Sequence, residues 1–203
     1  NLDSDEVFKG EDVENIIELL EKEQYTSVGF KSRSFYGGFD RYIGGFEEAT
    51  DNFLRLFKVT PGCTWTTNRP PTIDYPESDN ITPKHLDSDS LYEKIGFIMY
   101  HYSYVYPKQV YNKMNYYTGI GGGANRIGNY FFNVYWPWVR GNSSERTDIE
   151  KAYDGVHEYL PRIRGESFTK PFIGTHPDAI LNNMGELKEK FDGQVDHVKE
   201  KVN

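Results

Sequence analysis

Cysteine and long apolar runs are scarce in this sequence of 203 residues. Its one cysteine, Cys63, excludes an internal disulfide framework and fits a reducing compartment, so we expect a cytoplasmic protein. A free cysteine is more often a buried apolar residue than a nucleophile, and we interpret Cys63 in that way. No segment approaches the run of about 20 apolar residues that a membrane-spanning helix needs. Peripheral association with the inner face of a membrane stays open.

Basic residues are in the minority, with 23 Lys and Arg against 31 Asp and Glu and a formal net charge of -8. Binding to nucleic acid over a broad surface usually needs a basic face, so we expect no nucleic-acid partner. Aromatic side chains are abundant instead, at 16% of the residues. Most of them are expected in the core. A tyrosine or tryptophan can also line a sugar site, because it combines a flat apolar face with a polar tip.

The hydrophobic periodicity predicts an α/β chain that becomes mainly helical in its second half. Apolar residues at helical spacing predict an amphipathic helix over residues 11–23. Strands are expected near residues 27–35, 52–59 and 96–102. Residues 66–90 are rich in Pro, Thr, Asp and Ser and predict a long loop.

Further helices are predicted after the last of these strands. Pro107 is well placed to open the first one. The others are expected over residues 127–138, 149–156 and 177–191, before a charged, frayed tail that follows Gly193.

The chain begins with acidic residues, Asp3 and Asp5 followed by Glu6, directly after an apolar residue. Mg²⁺ and Mn²⁺ prefer carboxylate oxygens, usually one or two of them, with phosphates and waters in the other positions. A calcium-binding EF-hand loop is rejected, since it would need an oxygen ligand at Val7 and a glycine at Phe8. The pattern by itself also fits a solvated loop, and the sharper hypothesis is a diphosphate-bound metal at the end of a strand.

Other polar residues could complete such a site. His101 follows a continuous apolar run, and a neutral imidazole is a good ligand for divalent metals, although a histidine there is more often structural. Arg33, Arg55 and Arg69 lie at or beside the predicted strands and loop, and an arginine fork can bind phosphate, although pairing with the many acids is the simpler interpretation.

A glycine loop over residues 119–124 fits the letters of a dinucleotide-binding motif. Its context is wrong, because the preceding segment looks helical and no acidic ribose ligand follows about 20 residues later. We interpret this loop as a hinge between helices.

Several stretches of the chain form an ordered set. They are residues 2–6 with the helix after them, residues 34–40, residues 54–58, residues 98–108 and residues 172–177. The most specific is 98–108, where His101 stands among tyrosines before Pro107. The set resembles the family 2 glycosyltransferases of bacteria and archaea from residue 2 to about residue 184.

The resemblance implies a GT-A fold and transfer of a sugar from a nucleotide-sugar donor to an acceptor hydroxyl, with inversion. It implies that Asp3 and Arg55 bind the donor, that Asp5 holds the divalent ion, Mn²⁺ or Mg²⁺, and that His101 binds this metal ion or the diphosphate. Such an ion neutralises the departing diphosphate as a Lewis acid. The implied acceptor is a glycan, a lipid-linked compound or another hydroxyl compound.

A general base must also take a proton from the acceptor hydroxyl. Glu47, Glu48 and Asp51 precede the Arg55 strand, and Asp74 and Glu77 lie in the predicted loop. We favour Glu48 or Asp51 for this role.

Members of this family carry a βαβ region that binds the nucleobase and leads into the first aspartates. Leu2 is all that this sequence could retain of its last strand, so about 90 to 100 residues would be missing from a complete α/β domain. We therefore expect the C-terminal part of a GT-A domain over residues 1–118, inactive by itself. A helical, acceptor-side region is expected over residues 119–203.

Two other classes stay open. The aromatic excess could mark a non-catalytic carbohydrate-binding or interaction module. The acidic start could belong to a small metal-dependent enzyme of nucleotide sugars or phosphates that is complete as it stands. The rings that could stack on an acceptor sugar, although core packing is favoured for each, are Tyr102, Tyr104, Trp65, Trp136 and Trp138.

Overall fold

The structure is a computed structural model that describes residues 3–45, 48–49, 51–68, 71–119, 129–157 and 168–202. The chain forms two compact units. Unit 1 comprises Asn1–Ser32 and Thr50–Met99, and unit 2 comprises Arg33–Ala49 and Tyr100–Asn203. The division therefore does not follow the expected boundary between residues 118 and 119. Predictions that concern Leu2, Glu47, Arg69 and the glycine loop after Gly119 lie outside the described residues.

The elements are named here in chain order. They are β1 (Glu6–Val7), α1 (Gly10–Glu23), β2 (Ser27–Phe30), β3 (Ser32–Tyr36), β4 (Arg41–Ile43), β5 (Phe53–Phe57), β6 (Thr64–Asn68), β7 (Pro71–Asp74), a 3-10 turn (Glu77–Asp79), β8 (His85–Leu86), α2 (Ser88–Ile95), β9 (Met99–Tyr104), α3 (Pro107–Gly119), a π-helix (Phe131–Tyr135), α4 (Trp136–Arg140), α5 (Ser143–Ala152), β10 (Thr169–Pro171), α6 (Asp178–Leu181) and α7 (Met184–Val202).

Helix α1 confirms the amphipathic helix predicted at the start of the chain. Acidic residues occupy its first turn, where they complement the helix dipole, and Lys22 lies in its last turn. Gln24 ends the helix in the left-handed conformation, with φ 56°. The helix buries Ile16, while Ile17 is exposed and Leu19 packs against the core in its place. The face around Ile16 and Leu19 therefore packs against the core.

Unit 1 contains a three-stranded mixed sheet in the order β5-β2-β8. Strand β2 pairs antiparallel with β5 and parallel with β8, so the α/β class with a mixed sheet is confirmed. The core of unit 1 is formed by buried residues from both helices and the sheet: Ile16, Val28, Phe30, Leu86, Leu91, Phe97 and Met99.

The long loop predicted over residues 66–90 is wrong, because this segment contains regular structure. Strands β6 and β7 pair as an antiparallel hairpin, and helix α2 begins at Ser88. The Asp87 side chain caps α2 by accepting a bond from the Ser90 N–H at 3.0 Å. The hairpin has no apolar alternation to predict it, since β6 is exposed and the two strands together consist mostly of polar residues.

Unit 2 contains strands in the order β9-β3-β4-β10. The register places Tyr42 of β4 opposite Phe35 on one side and Lys170 on the other, with antiparallel pairing on both. The single strand predicted over residues 27–35 is thus two strands, of which β2 lies in unit 1 and most of β3 in unit 2.

The helical part of unit 2 packs a core of aromatic and branched residues. Helix α3 confirms the helix predicted from Pro107, whereas the helix predicted over residues 127–138 is a π-helix followed by α4. Helix α7 continues to Val202, so the predicted frayed tail after Gly193 is wrong. Phe191, Val195 and Val198 of this helix pack against the core, which explains its extension. None of the helices in the described ranges has the length and apolarity that crossing a bilayer requires.

A buried carboxylate, that of Glu150, joins three parts of unit 2. It accepts hydrogen bonds from the Trp138 indole N–H at 2.8 Å, from the Thr169 hydroxyl at 2.6 Å and from the Thr169 backbone N–H at 3.2 Å. Helix α5 thereby fixes both α4 and strand β10. Because the partners are all donors, a carboxylate suits this position better than an amide.

We expect Glu150→Ala to lower the free energy of unfolding by about 3 kcal/mol, because it leaves buried donors without an acceptor. Glu150→Gln should cause a smaller loss, since one acceptor oxygen remains. Urea unfolding followed by tryptophan fluorescence measures both. Glu189→Ala, at an exposed position of α7, is the control and should change little. Equal effects of Glu150→Ala and Glu189→Ala would contradict this role of Glu150.

Candidate functional site

The acidic residues at the start of unit 1 form a turn, whereas the sequence predicted the end of a strand. The Glu6 N–H donates to the Asp3 carbonyl at 3.1 Å, and the Asp3 N–H donates back to the Glu6 carboxylate at 3.0 Å. These reciprocal bonds close the turn before strand β1. Asp3 and Ser4 are exposed, and Asp5 is partly exposed. The turn therefore presents Asp3 and Asp5 on a backbone that is fixed by local hydrogen bonds.

Arg55 holds this turn from strand β5. Its Nε and Nη2 donate to the two carboxylate oxygens of Glu6 at 2.7 and 2.6 Å. The Glu6 side chain is 0% exposed and that of Arg55 15%, so this bidentate pair is buried. Asp3 lies at the edge of the pair, 3.4 Å from Arg55 Nη2, with a side chain that is 60% exposed. The fork expected to bind a phosphate is thus engaged with Glu6, and Arg55 acts as a support for the turn.

Asp51, one of the two predicted bases, is buried in unit 1. Its carboxylate accepts a short hydrogen bond from the Ser32 hydroxyl. Its backbone carbonyl accepts from the Ser88 hydroxyl at 2.6 Å, at the first residue of α2. These bonds give Asp51 a clear structural role in joining α2 to the segment before β5.

His101 belongs to a row of polar side chains in unit 2. Strand geometry places His101 and Ser103 on the same face of β9, two residues apart. His101 Nδ1 lies 3.4 Å from the Ser34 hydroxyl, and the Lys113 ammonium donates to the Ser103 hydroxyl at 3.0 Å. Lys113 also lies 4.0 Å from the centroid of the Tyr104 ring. We call Ser34, His101, Ser103 and Lys113 the polar row. Its hydroxyl, imidazole and ammonium groups are suited to binding an oxyanion.

Glu48, the other predicted base, lies among cationic groups of unit 2. It accepts from the Lys170 ammonium at 2.5 Å and from the Tyr42 hydroxyl at 3.2 Å, and Arg33 Nη1 lies 3.7 Å away. Partial burial opposes ionisation, but the bond from Lys170 and the other favourable contacts outweigh it and lower the pKa of Glu48. Glu48 is therefore ionised at neutral pH, and the Lys170 bond weakens it as a base. Arg33 also stacks on the Tyr42 ring, 4.6 Å from its centroid.

The late stretch over residues 172–177 brings a buried histidine into an aromatic cluster. His176 Nε2 lies 2.9 Å from the Phe39 carbonyl, and Nδ1 lies 2.9 Å from the Tyr102 hydroxyl. A carbonyl can only accept, so Nε2 carries the proton and the neutral ring accepts from Tyr102. Phe35 and Phe172 pack around it, each with a centroid distance of 4.8 Å. We interpret His176 as a structural residue, consistent with its burial.

Most aromatic rings that were considered for sugar stacking are in the core. The four buried ones are Tyr102, Tyr104, Trp136 and Trp138. Trp65 is different, since it lies in the hairpin of unit 1, is 50% exposed and packs its edge against Phe57. Core packing, the favoured interpretation from the sequence, thus fits all but Trp65.

Sequence reasoning missed Glu6, Ser103 and Lys113 as parts of these sites. The two-residue period of a strand could have indicated Ser103, because it must share a face with His101. Nothing local could have indicated the pairing of Glu6 with Arg55, which are 49 residues apart. Among the described residues, no group of three or more His, Cys, Asp or Glu side chains could enclose a metal ion.

Loss of Arg55 should destabilise unit 1 strongly. We expect Arg55→Ala to lower the free energy of unfolding by about 3–5 kcal/mol, because it leaves the buried Glu6 carboxylate unpaired. Arg55→Lys should recover part of this loss through a single charged bond. The matched control is the Lys31–Asp89 pair, in which Asp89 is 67% exposed. There, Asp89→Ala should cost about 1 kcal/mol or less in the same urea titration.

His176 should make stability depend on pH. Burial lowers its pKa, an effect that the bond to the Phe39 carbonyl opposes only in part. The unfolded chain then binds a proton more strongly than the folded one, so stability should fall as the pH drops through about 6.5. Between about pH 7.5 and 5.5, His176→Gln should remove part of this loss. Parallel profiles for the wild type and His176→Gln would contradict this role.

Comparison of the chain with models of protein families, with curated proteins and with solved structures found no match. The resemblance to family 2 glycosyltransferases therefore rests on the ordered stretches of the sequence.

Proposed function

We propose that this chain is part of a GT-A-type glycosyltransferase, which moves a sugar from a nucleotide-sugar donor to an acceptor hydroxyl with the help of a divalent metal. The observation that carries the proposal is the support of the acidic turn in unit 1. A buried, bidentate Glu6–Arg55 pair fixes a turn whose remaining carboxylates, Asp3 and Asp5, are accessible.

Asp3 and Asp5 are the residues that would hold Mn²⁺ or Mg²⁺. Hard oxygen donors suit these ions, and one or two carboxylates are enough when phosphate oxygens and waters supply the other ligands. The donor set of the turn therefore fits a nucleotide-bound metal better than a metal enclosed by protein. When bound, the ion would stabilise negative charge on the departing diphosphate. Arg55 is proposed as a positioning residue that keeps the turn in place.

The polar row of unit 2 is proposed to bind an anionic group of the donor. Lys113 supplies a positive charge, Ser34 and Ser103 supply hydroxyl donors, and His101 can donate or accept. Of the two roles that the resemblance implies for His101, metal binding and diphosphate binding, this is the second. It rests on the contacts within unit 2: His101 lies beside the Ser34 hydroxyl, and Ser103, two residues further along the same face of β9, accepts a hydrogen bond from Lys113.

The acceptor hydroxyl must lose a proton as its oxygen attacks the anomeric carbon and the diphosphate leaves. Glu48 is proposed as the base over Asp51, because its side chain is 31% exposed whereas Asp51 is buried. Its ionised form is available at neutral pH, and displacement of the Lys170 ammonium by an acceptor would raise its basicity.

A carbohydrate-binding or interaction module is the second candidate function. Exposed rings favour it, above all Tyr116, which is 64% exposed on α3, and Trp65 in the hairpin of unit 1. Such a module would bind a glycan without metal or nucleotide.

Thermal unfolding in the presence of Mn²⁺ and UDP, GDP or TDP tests the proposal, on a longer chain that also carries the upstream βαβ region that the resemblance implies. We expect one of these nucleotides to raise the Tm only when Mn²⁺ is present, because binding to the folded state stabilises it. Asp5→Ala should abolish this shift. Asp192→Ala, at an exposed position of α7, is the matched control and should retain it.

Two results would contradict the transferase proposal. One is the absence of any metal-dependent nucleotide shift in the wild type, which would favour the binding module. The other is a shift of equal size in wild type and Asp5→Ala, which would place the nucleotide away from the acidic turn.

A further inference from the structure

A surface cleft lies between α4 and α5 of unit 2. Its volume is about 540 Å³, within the range of small-molecule sites. The residues that line it are Trp136, Pro137, Arg140, Gly141, Glu145, Asp148 and Ile149. It therefore combines apolar surface with groups of both charges.

The backbone around the cleft is built by specific local features. A π-helix over Phe131–Tyr135 leads directly into α4, and π-helical segments are rare and often accompany functional sites. After α4, Asn142 and Glu145 form a reciprocal capping box that starts α5. Glu145 is thereby occupied, since its carboxylate accepts from the Asn142 N–H at 2.7 Å. This leaves Asp148 as the acidic group of the cleft that is available to a ligand.

Trp136, which lines this cleft, has a buried indole N–H that needs a hydrogen-bond acceptor. The residue is 3% exposed, and within the described part of the chain its buried indole N–H has no hydrogen-bond partner. Its neighbour Trp138 satisfies the same group through Glu150. A buried donor without an acceptor is costly and uncommon, and it calls for a water or a ligand. The Trp136 ring is already held by stacking on Phe131, with an interplanar angle of 9°.

Arg140 and Asp148 are the charged groups of the cleft that the capping box does not engage. Both are exposed, and across the described ranges neither forms an ion pair with another side chain. The Arg140 guanidinium lies 5.7 Å from the centroid of the Trp136 ring. The cleft thus offers an arginine fork as donor and a carboxylate as acceptor beside Pro137 and Ile149.

We propose that this cleft binds a neutral hexopyranoside, as one sugar unit of a glycan. A sugar ring presents adjacent hydroxyls, each both donor and acceptor, which a guanidinium and a carboxylate can bind together. Its C–H face suits the apolar surface of Pro137 and Ile149. An anionic ligand fits less well, because Glu145 and Asp148 outnumber Arg140. This cleft includes neither the acidic turn nor the polar row. The proposal therefore holds whether the protein is a transferase or a binding module.

The indole signals in a ¹H–¹⁵N NMR spectrum of the full chain test this proposal. The sequence has 3 tryptophans, so 3 indole signals are expected. Titration with methyl β-D-glucopyranoside or methyl β-D-galactopyranoside, without metal or nucleotide, should shift the Trp136 signal. The Trp138 and Trp65 signals should stay in place and serve as internal controls. Trp136→Phe assigns the signal by its loss.

Surface variants keep the test independent of the buried tryptophan. Arg140→Gln and Asp148→Asn should each weaken the glycoside affinity by about tenfold or more, as expected for loss of hydrogen bonds to a charged group. Lys151→Gln on α5 and Asp192→Asn on α7 are exposed controls outside the cleft and should bind like the wild type.

The proposal is overturned if neither glycoside shifts the Trp136 signal, or if Arg140→Gln and Asp148→Asn both bind with wild-type affinity. It is also overturned if the zwitterion glycine shifts that signal and the glycosides do not, since the arginine and the carboxylate would then recognise opposite charges. Because the assay contains no nucleotide, its failure is separate from failure of the transferase proposal.

Discussion

Burial of a tyrosine or tryptophan brings a polar group into the core, and the need to satisfy that group organises unit 2. The Tyr36 and Tyr130 hydroxyls lie 3.0 Å apart, so that strand β3 is tied to the residue before the π-helix. The Tyr135 hydroxyl donates to a backbone carbonyl after β9 at 2.7 Å, and Trp138 donates to Glu150. Each bond fixes one element against another. The many aromatic side chains therefore contribute oriented hydrogen bonds between elements as well as apolar packing.

The same requirement explains why Trp136 differs from the rings around it. Within the described part of the chain, the buried Trp136 indole N–H has no hydrogen-bond partner, and Trp136 lines a cleft whose Arg140 and Asp148 form no ion pair with a described residue. In unit 1, the buried polar contact is an ion pair between charged side chains. The Glu6 carboxylate is fully buried and both of its oxygens accept hydrogen bonds from Arg55, while Asp3 lies at the exposed edge of this pair.

The parts of the fold that the sequence predicted have a strong local signal. Helix α1 carries apolar residues at helical spacing, β9 begins in the apolar run that precedes His101, and α3 opens on a proline. The parts that it did not predict lack such a local apolar signal or depend on pairing between distant residues. The β6–β7 hairpin is polar, and β10 is a short exposed strand whose place is fixed by β4, 126 residues earlier at the Thr169–Ile43 pair. The extension of α7 to Val202 depends likewise on contacts with the core.

For the candidate sites, the sequence by itself determined which chemical groups are available and which of them share a strand face. The acids at positions 3 to 6, the histidine in β9 and the surplus of aromatic rings are properties of the sequence. The tertiary structure alone decided how each group is used. It engaged Arg55 with Glu6, placed Lys113 beside Ser103 and buried Asp51 against Ser32. Each of these contacts joins different parts of the fold. Hydrogen bonds and burial depend on such distant partners, so no local pattern could have assigned them.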